Sequence, residues 1–172
     1  VWQVMQGSVP STLWQPYVDA VGQSVAKQVG RKDIRYEFHV IDATVVNAFA
    51  LPGGHIFIFT GLLDQMKSEA ELASVLGHEI GHVDARHCIE RLQYELRMKR
   101  LGVKELGQLA DLLRRLPEQG YAQYQELEAD HLGVQMSMGA GYDPEHGIAL
   151  FRRLFVTGTE RKASSPLEEL AR

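Results

Sequence analysis

A single α+β domain, mainly helical with a small and mostly antiparallel sheet, is the fold class the sequence predicts, and three observations predict it. Apolar residues recur at helical spacing through most of the 172-residue chain, as in amphipathic helices packed on one core. Between Ile34 and Thr60 the period drops to two, with Pro and Gly punctuation, as in short strands joined by turns. The hydrophobic share of 45% is ordinary for a globular chain and sufficient for one sizeable core.

Taken in order, residues 1–10 read as an irregular N-terminal arm, 11–156 as the core of the domain, and 157–172 as a polar linker with a partial C-terminal helix. A helix from Ser11 carries Trp14, Tyr17, Val18, Val21, Val25 and Val29 on one face and stops at Gly30. Ile34, Tyr36, Phe38 and Val40 then alternate with Arg35, Glu37 and His39, a half-buried strand that places His39 on the polar side. Val45 to Leu51 is a second extended segment, Pro52-Gly53-Gly54 a turn, and His55 to Thr60 a strand. A helix follows over Glu71 to His87 and continues through Leu96. Lys104 to Leu116 is amphipathic and closed by Pro117, and Tyr121 to Met138 forms a helix ending at Gly139 or Gly141. Asp143-Pro144 starts the next, with Ile148, Phe151, Leu154 and Phe155 expected inside, and Thr157 to Ser164 is the polar linker.

The chemistry concentrates in His78-Glu79-Ile80-Gly81-His82. Histidines four apart lie on one helical face, so both imidazoles can reach one metal ion, while Glu79 is displaced enough to face a metal-bound water. Ser68 and Glu71 make a capping box at the helix start. A catalytic zinc site needs a third protein ligand and an open position for water. Glu126-Leu127-Glu128-Ala129-Asp130 supplies candidates: Glu126 and Asp130 share a helical face and Glu128 points away, so one carboxylate can bind metal while the other accepts a hydrogen bond from a ligand imidazole.

Together the HExxH and ExEAD segments resemble the HtpX and CAAX prenyl protease family of zinc metallopeptidases, and specifically its members without membrane spans. Asn47 to Gly54, Thr60-Gly61-Leu62-Leu63 and Gly141-Tyr142-Asp143-Pro144 are similar to the family's pattern, and the likeness runs from about Tyr17 to Leu154. The resemblance implies a zincin-like, minimal gluzincin fold. It implies one zinc per chain on His78, His82 and Glu126, with Glu79 as catalytic base and Asp130 as the partner of a ligand imidazole. It also implies a metalloendopeptidase whose extended or unfolded protein substrate lies along the Ile56 to Thr60 strand, and a bacterial envelope or periplasmic location. Three features depart from the family: Tyr121-Ala122-Gln123 lacks the usual Arg, Ser165-Pro166 stands where His-Pro is common, and the His82 to Glu126 spacing is short. Tyr121, His131 and Tyr142 remain candidates for steadying an oxyanion.

A net charge of −4 and a pI near 6.0 offer no electrostatic footprint for nucleic acid. No run approaches the ~18 apolar residues of a membrane span. The single cysteine, Cys88, excludes an internal disulfide and reads as a packing residue. Two other classes stay open: a zinc-binding degenerate protease working as a chaperone or interaction module, and a zinc hydrolase of small-molecule amides.

Overall fold

The computed structural model describes residues 14–98 and 120–163, with side chains over 14–97 and 120–154. The arm, the helix expected over Lys104 to Leu116 and the segment after Ala163 lie outside the described residues.

The first helix, α1 (Gln15–Ala26), buries Val18, Val21 and Val25. Its end is marked by two turn bonds that carry the chain to the buried Val29. Three short strands follow: β1 (Glu37–Ile41), β2 (Ala48–Leu51) and β3 (His55–Phe59). Gly53 and Gly54 have φ of 98° and 91°, a conformation open mainly to glycine, and they close the antiparallel β2–β3 hairpin that the sequence predicts. The pairing of β1 with β3 is parallel, so the sheet is mixed, with the order β1-β3-β2. The sheet is buried on both faces. Phe38, Val40, Ile56 and Ile58 join the helices, while Ile41, Phe49, Leu51 and Phe57 form a second cluster on the far side. His39 therefore does not face open solvent; it is half-buried and stacked near Phe57, 4.7 Å between ring centroids.

After a single turn, α2 (Thr60–Leu63), the central helix α3 runs from Glu69 to Asp84. Its start follows from the Ser68 side chain, which accepts the Glu71 N–H at 3.3 Å. The capping box is half realised, because the Glu71 carboxylate reaches past Ser68 to the Lys67 N–H at 2.8 Å and meets Arg153 at 2.7 Å. Helix α3 stops at Asp84 instead of continuing past His87: Arg86 has φ 65°, which breaks the helix, and α4 (His87–Met98) starts after it. Helix α5 (Gln123–Gly139) crosses α3, and α6 (Pro144–Ala163) follows, its start capped by Asp143, which accepts the Glu145 N–H at 2.9 Å. Two expectations for α6 are corrected. It continues through Ala163 where a linker was expected from Thr157, and its inward face carries Gly147 and the fully buried Leu150, while Ile148 and Phe151 are 49% and 44% exposed.

The crossing of α3 with α5 positions the chemistry. A Cβ on Gly81 would come within 2.9 Å of the Ala129 carbonyl oxygen, and one on Gly133 within 2.7 Å of the His78 backbone nitrogen. Only hydrogen at these positions lets two backbones approach so closely. Residues 126 and 130 of α5 are thereby laid against the histidines of α3. No helix among the described residues is long and apolar enough to cross a membrane.

Candidate metal centre

His78 and His82, one turn apart on α3, bring their Nε2 atoms to 3.0 Å of each other. From α5, a Glu126 carboxylate oxygen lies 3.4 Å from His78 Nε2 and 3.9 Å from His82 Nε2. These atoms form a group able to hold one metal ion. Zinc–nitrogen bonds of 2.0–2.1 Å at tetrahedral angles put donors about 3.3 Å apart, close to the spacings found. Asp130, one turn beyond Glu126, meets the other side of the His78 ring, with Oδ1 2.8 Å from Nδ1. Glu79 is buried beside the histidines. Burial lifts its carboxyl to about 7, against the pull of His78. Burial also disfavours a charge on His78, yet hydrogen bonds to Asp130 and Glu126 outweigh it and hold that imidazole up to about 10. Burial and His78 push His82 down to about 3. Protonation is thus favoured on His78, through its two carboxylate partners, while His82 beside it is held neutral, the form that ligates a metal.

Three neighbours were not legible in the sequence. His87 is 2% exposed, and its Nδ1 lies 3.1 Å from His82 Nδ1, while its Nε2 is 3.3 Å from a Glu128 carboxylate oxygen. In an unbroken helix residues 82 and 87 would be rotated by roughly 140°; the turn at Arg86 brings them together. Glu128 does point away from Glu126, but towards His87. Arg91 of α4 stands with its guanidinium 5.0 Å from the Tyr121 ring centroid and lines the cleft, supplying a cation where the Tyr121-Ala122-Gln123 segment lacks one.

The oxyanion candidates are placed as follows. Tyr121 stacks on His82 at 3.8 Å between centroids, and its hydroxyl lies 3.2 Å from Cys88 Sγ. Tyr142 donates to Glu69 at 2.8 Å, and the exposed His131 pairs with Gln135. None of these polar tips meets the three-ligand group in the described contacts. Cys88 is a packing residue, its buried thiol pushed up to about 11.

Two cavities meet at the group. One of about 200 Å³ runs between Asn47, Ala48, Phe49 and Ala50 of the β2 segment and His78, Glu79, His82 and Glu126. The other, of about 510 Å³, is walled by Ile148 and Phe151 of α6 and by Val134, and reaches His78, Glu126 and Asp130. The strand bordering the first cavity corrects one expectation. β3, which contains Ile56 to Phe59, is central and paired on both sides, so it has no free edge for a substrate; the edge beside the histidines belongs to β2.

A model of the peptidase family M48 matches residues 12–168. The chain belongs to this family. M48 membership agrees with the resemblance read from HExxH and ExEAD. Among curated M48-like relatives, the mitochondrial metalloendopeptidase OMA1 of Schizosaccharomyces pombe is 34% identical over 155 residues, covering 84% of this chain and 44% of the relative. Its Arabidopsis thaliana counterpart is 37% identical over 129 residues, 70% of this chain and 26% of the relative. The beta-barrel assembly-enhancing protease of Yersinia pestis is 28% identical over 188 residues, 96% of this chain and 38% of the relative. The chain thus spans less than half the length of each of these relatives.

Proposed function

We propose that the chain is a zinc-dependent endopeptidase acting on extended or unfolded protein segments. The observation that carries this reading is the convergence of His78 Nε2, His82 Nε2 and the Glu126 carboxylate beside the buried Glu79, in a cleft bordered by a strand edge. Two imidazoles and a carboxylate are the donor set of a catalytic zinc site, and their spacing suits that ion. His78, His82 and Glu126 would hold one zinc per chain. When bound, zinc lowers the pKa of a water and polarises a carbonyl. Glu79 would accept a proton from the attacking water and return it to the leaving amine. The hydrogen-bond pattern orients both imidazoles: His78 donates from Nδ1 to Asp130, and His82 donates from Nδ1 to His87, whose Nε2–H is satisfied by Glu128. This assignment satisfies each donor and leaves both Nε2 lone pairs directed at the centre.

A substrate strand would pair with β2. The Phe59 N–H donates to Asn47 O, and with this register Ala48 and Ala50 turn their backbone groups away from β3. Ala50 is engaged by Glu79 and Cys88, so Ala48 offers the outward groups nearest the cleft, its N–H held at 3.0 Å by the Asn47 side chain, which an incoming strand would displace. Main-chain pairing gives affinity for any extended peptide, and the pocket at Ile148 and Phe151 would take an apolar side chain beside the cut bond. The relatives named for mitochondria and for β-barrel assembly leave an envelope location as part of the proposal. The test is cleavage of unfolded casein together with zinc analysis. Glu79→Gln should keep zinc and lose at least ~100-fold in rate, and Glu126→Ala should lose the zinc held at this centre. Wild-type cleavage by Glu79→Gln would remove the assigned base; a zinc-loaded wild type that binds casein without cutting it would favour the interaction module.

A further inference from the structure

On the far face of the sheet, away from α3, Glu37, His39 and His55 come together. The strand period sets this up, since Glu37 and His39 are two apart on β1 and share a face. The parallel register then places His55 of β3 opposite Glu37. His55 Nδ1 lies 3.4 Å from His39 Nε2 and 3.5 Å from a Glu37 carboxylate oxygen, and the three donor atoms all fall within 4.8 Å of one another. Tetrahedral zinc asks for donors about 3.3 Å apart. The two rings are stacked, 5.6 Å between centroids and 24° between planes, and all three residues are half-buried, leaving room for water to complete a coordination shell.

The local hydrogen bonding is better satisfied by a cation than by a proton. His55 Nδ1 faces both a carboxylate and a ring nitrogen. One N–H cannot point squarely at both, and a lone pair there would face the carboxylate. Burial and the neighbouring His55 hold His39 below its ordinary pKa, which favours the neutral, ligating form. Arg35 Nε, at 3.8 Å from Glu37, approaches from an exposed side chain and is a weak competitor.

We propose that Glu37, His39 and His55 form a second binding site for a divalent ion of the zinc type, tying edge strand β1 to the central strand β3. The site is independent of the His78, His82 and Glu126 group. It adds a cross-link to the parallel pairing, and so braces β3, whose other neighbour is the β2 edge.

The experiment is zinc titration of the full chain by calorimetry, with thermal unfolding followed in parallel. Wild type should take up about two zinc ions. His55→Gln, a change at a half-exposed position, should take up about one and keep the ion held by His78 and His82. In the His78→Ala/His82→Ala chain a single zinc should remain and raise the unfolding temperature, and adding His55→Gln should weaken that binding at least ~10-fold and cancel the shift. A wild type that binds one zinc, unchanged in His55→Gln, overturns the proposal even if the double variant fails to fold. One zinc lost in His55→Gln and kept in His78→Ala/His82→Ala would support it while sinking the proposed catalytic centre.

Discussion

His87 shows how one backbone angle can create a residue's role. Its imidazole reaches His82 because Arg86 adopts φ 65°, a left-handed conformation that costs a non-glycine residue roughly 1–2 kcal/mol. In the proposed centre the contact gives His82 a line of partners in His87 and Glu128, as Asp130 is the partner of His78. His87→Phe should keep the volume but leave the His82 Nδ1–H without its acceptor, reducing zinc affinity roughly 10- to 100-fold. Glu128→Gln, one step further out, should cost less than His87→Phe. Competition against a chromogenic chelator at one pH measures both. Equal affinity in wild type and His87→Phe would leave His82 oriented by packing alone, through the Tyr121 ring stacked on it.

Among the elements, β2 and α3 carry the consequences. Ala48→Pro removes an outward N–H, donated to the Asn47 side chain at 3.0 Å in the free chain, without touching the β2–β3 ladder, because proline is tolerated where the N–H faces away from the sheet. Losing one substrate bond worth about 1 kcal/mol should raise KM for an unfolded protein about 5-fold, with zinc content unchanged. Steady-state kinetics that show no KM change would place the substrate off this edge. The N-terminus of α3 depends on Glu71, 2% exposed, which accepts from Lys67 and Arg153. Burial alone would raise its pKa, but the Arg153 bond and the Lys67 N–H hold it below the ordinary value of 4.5. A lowered folded-state pKa contributes stability that is complete above the unfolded value and is lost as pH falls through the folded one. Glu71→Gln should therefore be destabilised by ~1–3 kcal/mol at pH 7, and the gap from wild type should close as pH falls below the ordinary value of 4.5 and through the lowered folded-state one. Urea midpoints across pH 3 to 7 would show it; a constant gap would mean that the loss is one of packing.

For the whole molecule, the proposed metal group would join α3 to α5 across a crossing that Gly81 and Gly133 make close. An ion bound only by the folded chain stabilises it by mass action, about 2.7 kcal/mol at a hundred times its Kd. Removing metal with a chelator should lower the unfolding temperature of wild type, and restoring zinc should recover it. In Glu126→Ala the same treatment should shift it less, by only what an ion at Glu37, His39 and His55 contributes, because the ligand from α5 is gone. Differential scanning calorimetry with equal shifts in both chains would detach the ion from this crossing.

The helices and the hairpin were legible because their signals are local: the valine recurrence in α1, the Ser68 cap, Asp143 before Pro144 and the Gly53-Gly54 turn each act within a few residues. The same is true of the spacing within His78 to His82 and within Glu126 to Asp130, which places side chains on one helical face whatever the rest of the chain does. Strand order is different in kind. Alternation in β3 is the same whether a strand is central or at an edge, so the free edge at β2 and the parallel β1 pairing came only from long-range contact. Break points such as Arg86 carry no composition signal, and a straight helix through His87 was the natural expectation. Amphipathic periodicity likewise marks which residues are apolar without saying what they meet, and tertiary packing turned Ile148 and Phe151 from the core to the wall of the cavity that reaches His78 and Glu126. Sequence determined the local chemistry of each helix and turn by itself; which residues face one another across helices and strands was decided by tertiary structure, because close approach depends on the whole packed chain.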